Sequence, residues 1–130
     1  MTVESSPRRV AVSRLRRAGR RILADHGREG TLSIAIVDDA TIHRLNREHL
    51  DHDWPTDCLS FDLEPTLGEV VVSAETALRE AQARGLTFAE ELLRYVVHAT
   101  LHLCGHDDGT HAQRRKMHAR QEEYVRAFLP

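Results

Sequence analysis

The stretch from Phe88 to Cys104 constrains this chain more than any other. Leu92, Leu93, Val96, Val97, Ala99, Leu101 and Leu103 place apolar side chains on most sides of a single helix. A helix apolar nearly all round belongs at the centre of a domain, covered by other elements. His98 and His102 are polar groups inside that element, and buried polar groups need partners. Four residues apart, they share one helix face with Cβ atoms roughly 5–6 Å apart, so both can reach one small cation. Gly105 follows, a residue that ends helices and turns the chain back. The turn can carry a third ligand to the same point, either Asp108 or a nearby histidine. Three protein ligands around a tetrahedral ion leave one open position, which is the catalytic rather than the structural pattern for zinc. Nine histidines make a bare His-x-x-x-His pair easy to meet by chance. The glycine and the trailing acid set this pair apart.

Around that helix, the pattern predicts enough elements to cover it. A first helix is expected from near Val10 to Ala24, with Val12, Leu15, Ala18 and Ile22 on its buried face. Thr31–Val37 alternates as a strand. Asp38 or Asp39 can cap a short helix carrying Ile42 and Leu45 and ending near Glu48. A polar loop follows from His49 through Thr56, in which Pro55 forces Trp54 out of the helical region. His49 and His52 are metal candidates there, though loop histidines are more often solvated. Cys58–Leu63 and Glu69–Ser73 read as strands around a turn at 64–68, close enough to pair antiparallel. Ser73 can cap a helix over Ala74–Arg84 stopped by Gly85, and Thr87 with Glu90 forms a capping box opening the central helix. Thr110 with Gln113 forms a second box, opening a last helix with Met117, Tyr124, Val125 and Phe128 on its core side. The expected fold class is therefore α/β or α+β: a small mixed β-sheet packed with helices, one domain over residues 1–130.

Cys58 and Cys104 stand alone rather than in a Cys-x-x-Cys pattern. No apolar run approaches a membrane span, and no apolar segment follows the N-terminal charges as in a secretory leader. A cytoplasmic protein with reduced thiols and no membrane partner is expected. The net charge of −2 hides an asymmetry. Arg8, Arg9, Arg14, Arg16, Arg17, Arg20, Arg21 and Arg28 crowd the first segment against only Glu4 and Asp25. Clustered arginine is an electrostatic footprint for phosphate backbones, and Arg14, Arg17 and Arg21 are the candidate RNA contacts. A solvated helix face is the plainer alternative.

An open-site zinc serves peptide or phosphodiester hydrolysis equally. Zinc peptidases of the His-Glu-x-x-His type place a general-base glutamate directly after the first histidine. Here that slot holds Ala99, which counts against a minimal metallopeptidase. With the early arginines, the residues lead to a metal-dependent hydrolase acting on nucleic acid.

The stretch His98-Ala99-Thr100-Leu101-His102-Leu103-Cys104-Gly105-His106-Asp107-Asp108 resembles the His-Gly-x-Leu-His-Leu-x-Gly-Tyr-Asp-His signature of YbeY-type endoribonucleases. Pro55-Thr56-Asp57-Cys58-Leu59-Ser60-Phe61 is similar to that family's Pro-Thr-Asp-Val-Leu-Ser-Phe segment, and Gly68–Ser73 to its following strand. The resemblance runs from about Ile34 to the C-terminus. It implies a single-strand-specific, zinc-dependent endoribonuclease in rRNA maturation, notably at the small-subunit rRNA 3′ end, and in ribosome quality control. Its partners would be rRNA and the ribosomal small subunit or its assembly factors. It also implies a zincin-like site on the central helix, holding one zinc ion.

His98 and His102 inherit the first two ligand roles. The family's third histidine falls at Asp108, an acceptable oxygen ligand, with His106 or His111 as alternatives. The family's arginine before the Pro-Thr-Asp segment falls at Leu50, with Arg47 a partial replacement one turn earlier. The usual N-terminal strand is short or missing before Val10. No catalytic base is identified. Asp57, Asp107 and Glu69 are candidates to orient the site from behind the ligands, and Cys104 is expected in the core. A non-catalytic ribosome-assembly factor that binds RNA around a structural metal is the alternative function.

Overall fold

Two parallel seven-residue strands form the spine of the sheet. A computed structural model describes residues 2–3, 12–50, 56–64 and 67–129. In chain order the elements are β1 (Thr2–Val3), α1 (Val12–Asp25), β2 (Thr31–Val37), α2 (Asp39–Leu50), β3 (Cys58–Glu64), β4 (Leu67–Ser73), α3 (Ala74–Arg84), α4 (Phe88–Leu103) and α5 (His111–Phe128). The sheet order is β1-β2-β4-β3. β1 and β4 run parallel to β2, while β3 returns antiparallel to β4. The sheet is mixed, as the short connection between β3 and β4 and the helical crossovers require.

Strand alternation divides the core in two. Ile34 and Ile36 of β2 pair in register with Val70 and Val72 of β4. These four, all nearly fully buried, join Leu15, Ile22, Leu92, Val96, Met117 and Val125 in the main core under α1, α4 and α5. Val37, Val71 and Leu59 point the other way and pack on Ile42 of α2. So α2 covers one sheet face and α4 lies on the other.

α4 is central, as its apolar surface demands. It packs on α1, α3, α5, β3 and β4. Its last turn crosses β4 at Gly68, where an added Cβ would stand 2.8 Å from Leu103. That glycine belongs to the strand and not to a turn, so β4 starts at Leu67 and the hairpin connection is shorter than the pattern suggested. α2 also runs further than expected, to Leu50. Pro55 restrains only the residue before it, and the ring of His49 packs edge-on against Phe61 of β3, 5.8 Å between centroids. β1 is the short N-terminal strand. The expected start of the first helix at Val10, His52, Trp54 and Pro55 lie outside the described residues. Among the described residues, no helix is long and apolar enough to cross a membrane.

Candidate metal centre

α4 stops where its sequence says it should. Gly105 takes φ +95°, the amide of His106 donates to the Leu101 carbonyl and that of Gly105 to His102. This is a Schellman stop, which satisfies carbonyls that the helix end would leave unpaired. Arg28 satisfies another, donating to the Leu103 carbonyl at 2.8 Å while its other nitrogen grips Asp62 at 2.7 Å. The chain then turns back toward the face that carries the two histidines.

One nitrogen from each of His98 and His102 and one oxygen of Asp108 lie within 4.8 Å of one another, the only such metal-competent group among the described residues. His102 Nε2 and Asp108 Oδ2 are 3.4 Å apart. Two donors about 2.0–2.1 Å from one ion at a tetrahedral angle are separated by about 3.3–3.4 Å, so this pair already has that spacing. The widest separation in the group is 4.8 Å, so a side-chain adjustment of about 1.5 Å brings the third donor in. His98 and Asp108 open onto a cleft of about 260 Å³ between α4 and α5, which Arg114, His118 and Gln121 also line.

Both histidines have their other nitrogen occupied. His98 Nδ1 lies 2.7 Å from Gln121 Oε1, and Gln121 spends its amide N–H on Glu122 at 3.0 Å. The amide can therefore face His98 only with its oxygen, so His98 carries its proton on Nδ1 and leaves Nε2 as the free donor. His102 Nδ1 donates to the His106 carbonyl at 2.9 Å, with the same consequence. A histidine bonded this way through one nitrogen has its tautomer and ring angle fixed for a metal at the other.

The network continues behind Gln121. Arg94 donates to Glu122 at 2.9 Å through Nε and Nη2, and pairs with Glu90 and with Glu91, which is wholly buried. Arg84 reaches Glu91 as well. Hydrogen bonding from Arg94 pulls the Glu122 carboxyl down to about 2.

The remaining candidates scatter. His106 is turned away, its Nε2 2.9 Å from His26 Nε2, and burial followed by the nearby His26 holds its pKa below the ordinary value. His111 is exposed at the start of α5. Asp57 lines a separate cleft with Arg79, Arg84 and Tyr95. Burial, then the Asp57 carboxylate and more weakly that of Asp108, raises the pKa of the Cys58 thiol. Asp107 is exposed on a separate concavity with Cys104 and Lys116. Glu69 shares the α2 face of the sheet and meets Ser33, so it does not stand behind the ligands. Arg47 is exposed on α2, on the sheet face opposite α4. On α1, Arg14 is half-buried and Arg17 exposed, while Arg21 is paired with Asp25. Cys104 packs against the main core as expected.

Gln121 went unread in the sequence although one signal pointed to it. It is the polar residue at core spacing between Met117 and Tyr124. Arg94, a cation inside an otherwise apolar helix, was the second such signal.

The family model described as Endoribonuclease YbeY matches residues 3–129. A relative of that name from Rhodopirellula baltica is 51% identical over 94 residues, covering 68% of this chain and 48% of the relative, so the chain spans about half that protein's length. Relatives of the same name from Salinibacter ruber and Syntrophotalea carbinolica are 40% and 38% identical. They cover 78% and 88% of this chain, and 75% and 85% of their own lengths. The solution structure of TM1509 from Thermotoga maritima aligns with a TM-score of 0.66 at 25% identity, over 96% of this chain and 87% of that one.

Proposed function

This chain belongs to the endoribonuclease YbeY family, and on that premise we propose that it is a zinc-dependent endoribonuclease. Its substrate is single-stranded RNA, and its work is the maturation of ribosomal RNA at the small-subunit 3′ end, with a part in ribosome quality control. One observation supports this reading above the others. His98, His102 and Asp108 bring three donor atoms together, and both imidazoles are held with Nε2 free by partners on Nδ1. Three ligands leave a coordination position open, which suits catalysis better than a structural metal.

His98, His102 and Asp108 would hold the ion. When bound, zinc polarises a phosphoryl oxygen and makes water more acidic. Gln121 and the His106 carbonyl keep the two rings aimed. An aspartate in place of a third histidine lowers the positive charge of the site. Arg114 and His118 line the same cleft, Arg114 supplying a cationic contact and His118 a hydrogen-bond donor for the phosphates on either side of the cut. The exposed arginines of α1, Arg17 above all, extend the basic surface for RNA. Work on ribosomal RNA with small-subunit partners places the protein in the cytoplasm.

The test is cleavage of a single-stranded RNA by the wild-type chain and by His102→Ala, alongside RNA binding and circular dichroism. A folded variant that binds RNA and has lost cleavage supports the enzyme. A folded variant that cleaves as well as wild type, or one that loses binding alone, sinks it in favour of an RNA-binding assembly factor.

A further inference from the structure

The contact between His26 and His106 spans 80 residues of sequence and joins the end of α1 to the loop that carries Asp108. The Ile22 carbonyl can only accept, so His26 donates to it through Nδ1–H, at 2.7 Å. Neutral His26 then has a lone pair on Nε2. That lone pair takes the Nε2–H of His106 at 2.9 Å, the two rings meeting edge-on with centroids 5.0 Å apart. The backbone carbonyl of the same His106 accepts the Nδ1–H of His102. From the last turn of α1 the run of contacts reaches His102 at Nδ1, on the ring whose other nitrogen, Nε2, faces Asp108.

We infer that His26 is a positioning residue for the metal centre: it fixes the ring of His106, and so the carbonyl that aims His102. The inference rests on the metal reading above. Capping the Ile22 carbonyl needs only one ring nitrogen of His26, and the second is directed at the loop. The Schellman bonds fix the amides of Gly105 and His106, while the His106 carbonyl still depends on the φ and ψ of that residue. Holding the His106 ring restrains rotation about N–Cα, which carries the ring and the carbonyl carbon together. His26 itself touches neither the ligand atoms nor the cleft.

The experiment measures zinc affinity by chelator competition on metal-free protein. The variants are His26→Phe, His106→Phe, the double variant, and His26→Gln, whose amide oxygen can accept where Nε2 did. Each phenylalanine variant is expected to weaken zinc binding by about tenfold, the low end for partners behind a ligand. The double variant should lose no more than about twofold beyond either single one, because the pair acts as a unit. His26→Gln should recover most of the loss. Circular dichroism and melting of the metal-free forms establish that each is folded. Wild-type affinity in His26→Phe, or losses that multiply in the double variant, overturns the inference. If His26→Phe does not fold, unchanged affinity in His106→Phe overturns it instead. A wild-type chain that takes up no divalent metal fails the metal centre itself, and this inference with it.

Discussion

His98 and His102 lie one turn apart on α4, yet different kinds of structure hold them. The partner of His98 is a side chain on α5, itself tied to Glu122 and through Arg94 to buried Glu91 and to Glu90. The partner of His102 is a backbone carbonyl in the loop after Gly105. The first arm is rooted in an ion-pair network between helices, and the second in a turn. Damage to the first should therefore reach folding as well as the metal. Damage to the second should reach the metal with a smaller effect on folding.

The largest effect is expected from Arg94→Met. It takes from buried Glu91 the closer of its two cations, leaving Arg84 at 3.2 Å, and strips Glu122 and Glu90 of theirs; removing one partner from a buried ion-pair network costs up to about 3–5 kcal/mol. Denaturant unfolding of the metal-free protein measures that loss, and zinc affinity should fall alongside it as Gln121 loses its anchor. Gln121→Leu comes next. The residue is 7% exposed and faces the core, so leucine packs acceptably. His98 loses its acceptor, and zinc affinity is expected to drop 10–100-fold with a much smaller change in unfolding free energy.

Gly105→Ala tests the other arm. An L-residue at φ +95° carries a penalty of about 1–2 kcal/mol. Zinc affinity should fall through His102 while the α4–α5 ion pairs remain, as the acid dependence of unfolding would show. That dependence reads the first arm directly. Glu122 has its pKa lowered to about 2 from an ordinary 4.5. A depressed carboxyl contributes stability above its unfolded pKa, and the contribution is lost as pH falls from about 4.5 toward 2. Glu122→Gln should flatten the stability of metal-free protein across that window, and Gly105→Ala should leave its slope unchanged.

The same contrast separates what the sequence could tell from what it could not. The apolar run of α4, the Gly105 stop and the Thr110–Gln113 capping box are local patterns, and all three appear where the spacing placed them. The β3–β4 pairing was equally legible, since the short turn read at 64–68 leaves the flanking strands little else than to pair antiparallel. The supports of the ligands were not. Gln121 is 23 residues from His98, Glu122 is 28 from Arg94, and His26 is 80 from His106. No periodicity carries such pairings. Glu69 reads in sequence as a support for the site, yet sheet alternation turns it to the opposite face, a fact that needs the register to see. Counting arginines also overstated the basic surface: Arg28 holds the end of α4 and Asp62, and Arg21 is matched by Asp25.

The most direct measurement is the zinc content and affinity of metal-free protein after reconstitution, for wild type and Asp108→Ala. One tightly held ion per wild-type chain is expected, with binding in Asp108→Ala weakened by at least about 100-fold once one of three ligands is gone. Wild-type stoichiometry and affinity in Asp108→Ala would contradict the His98–His102–Asp108 centre.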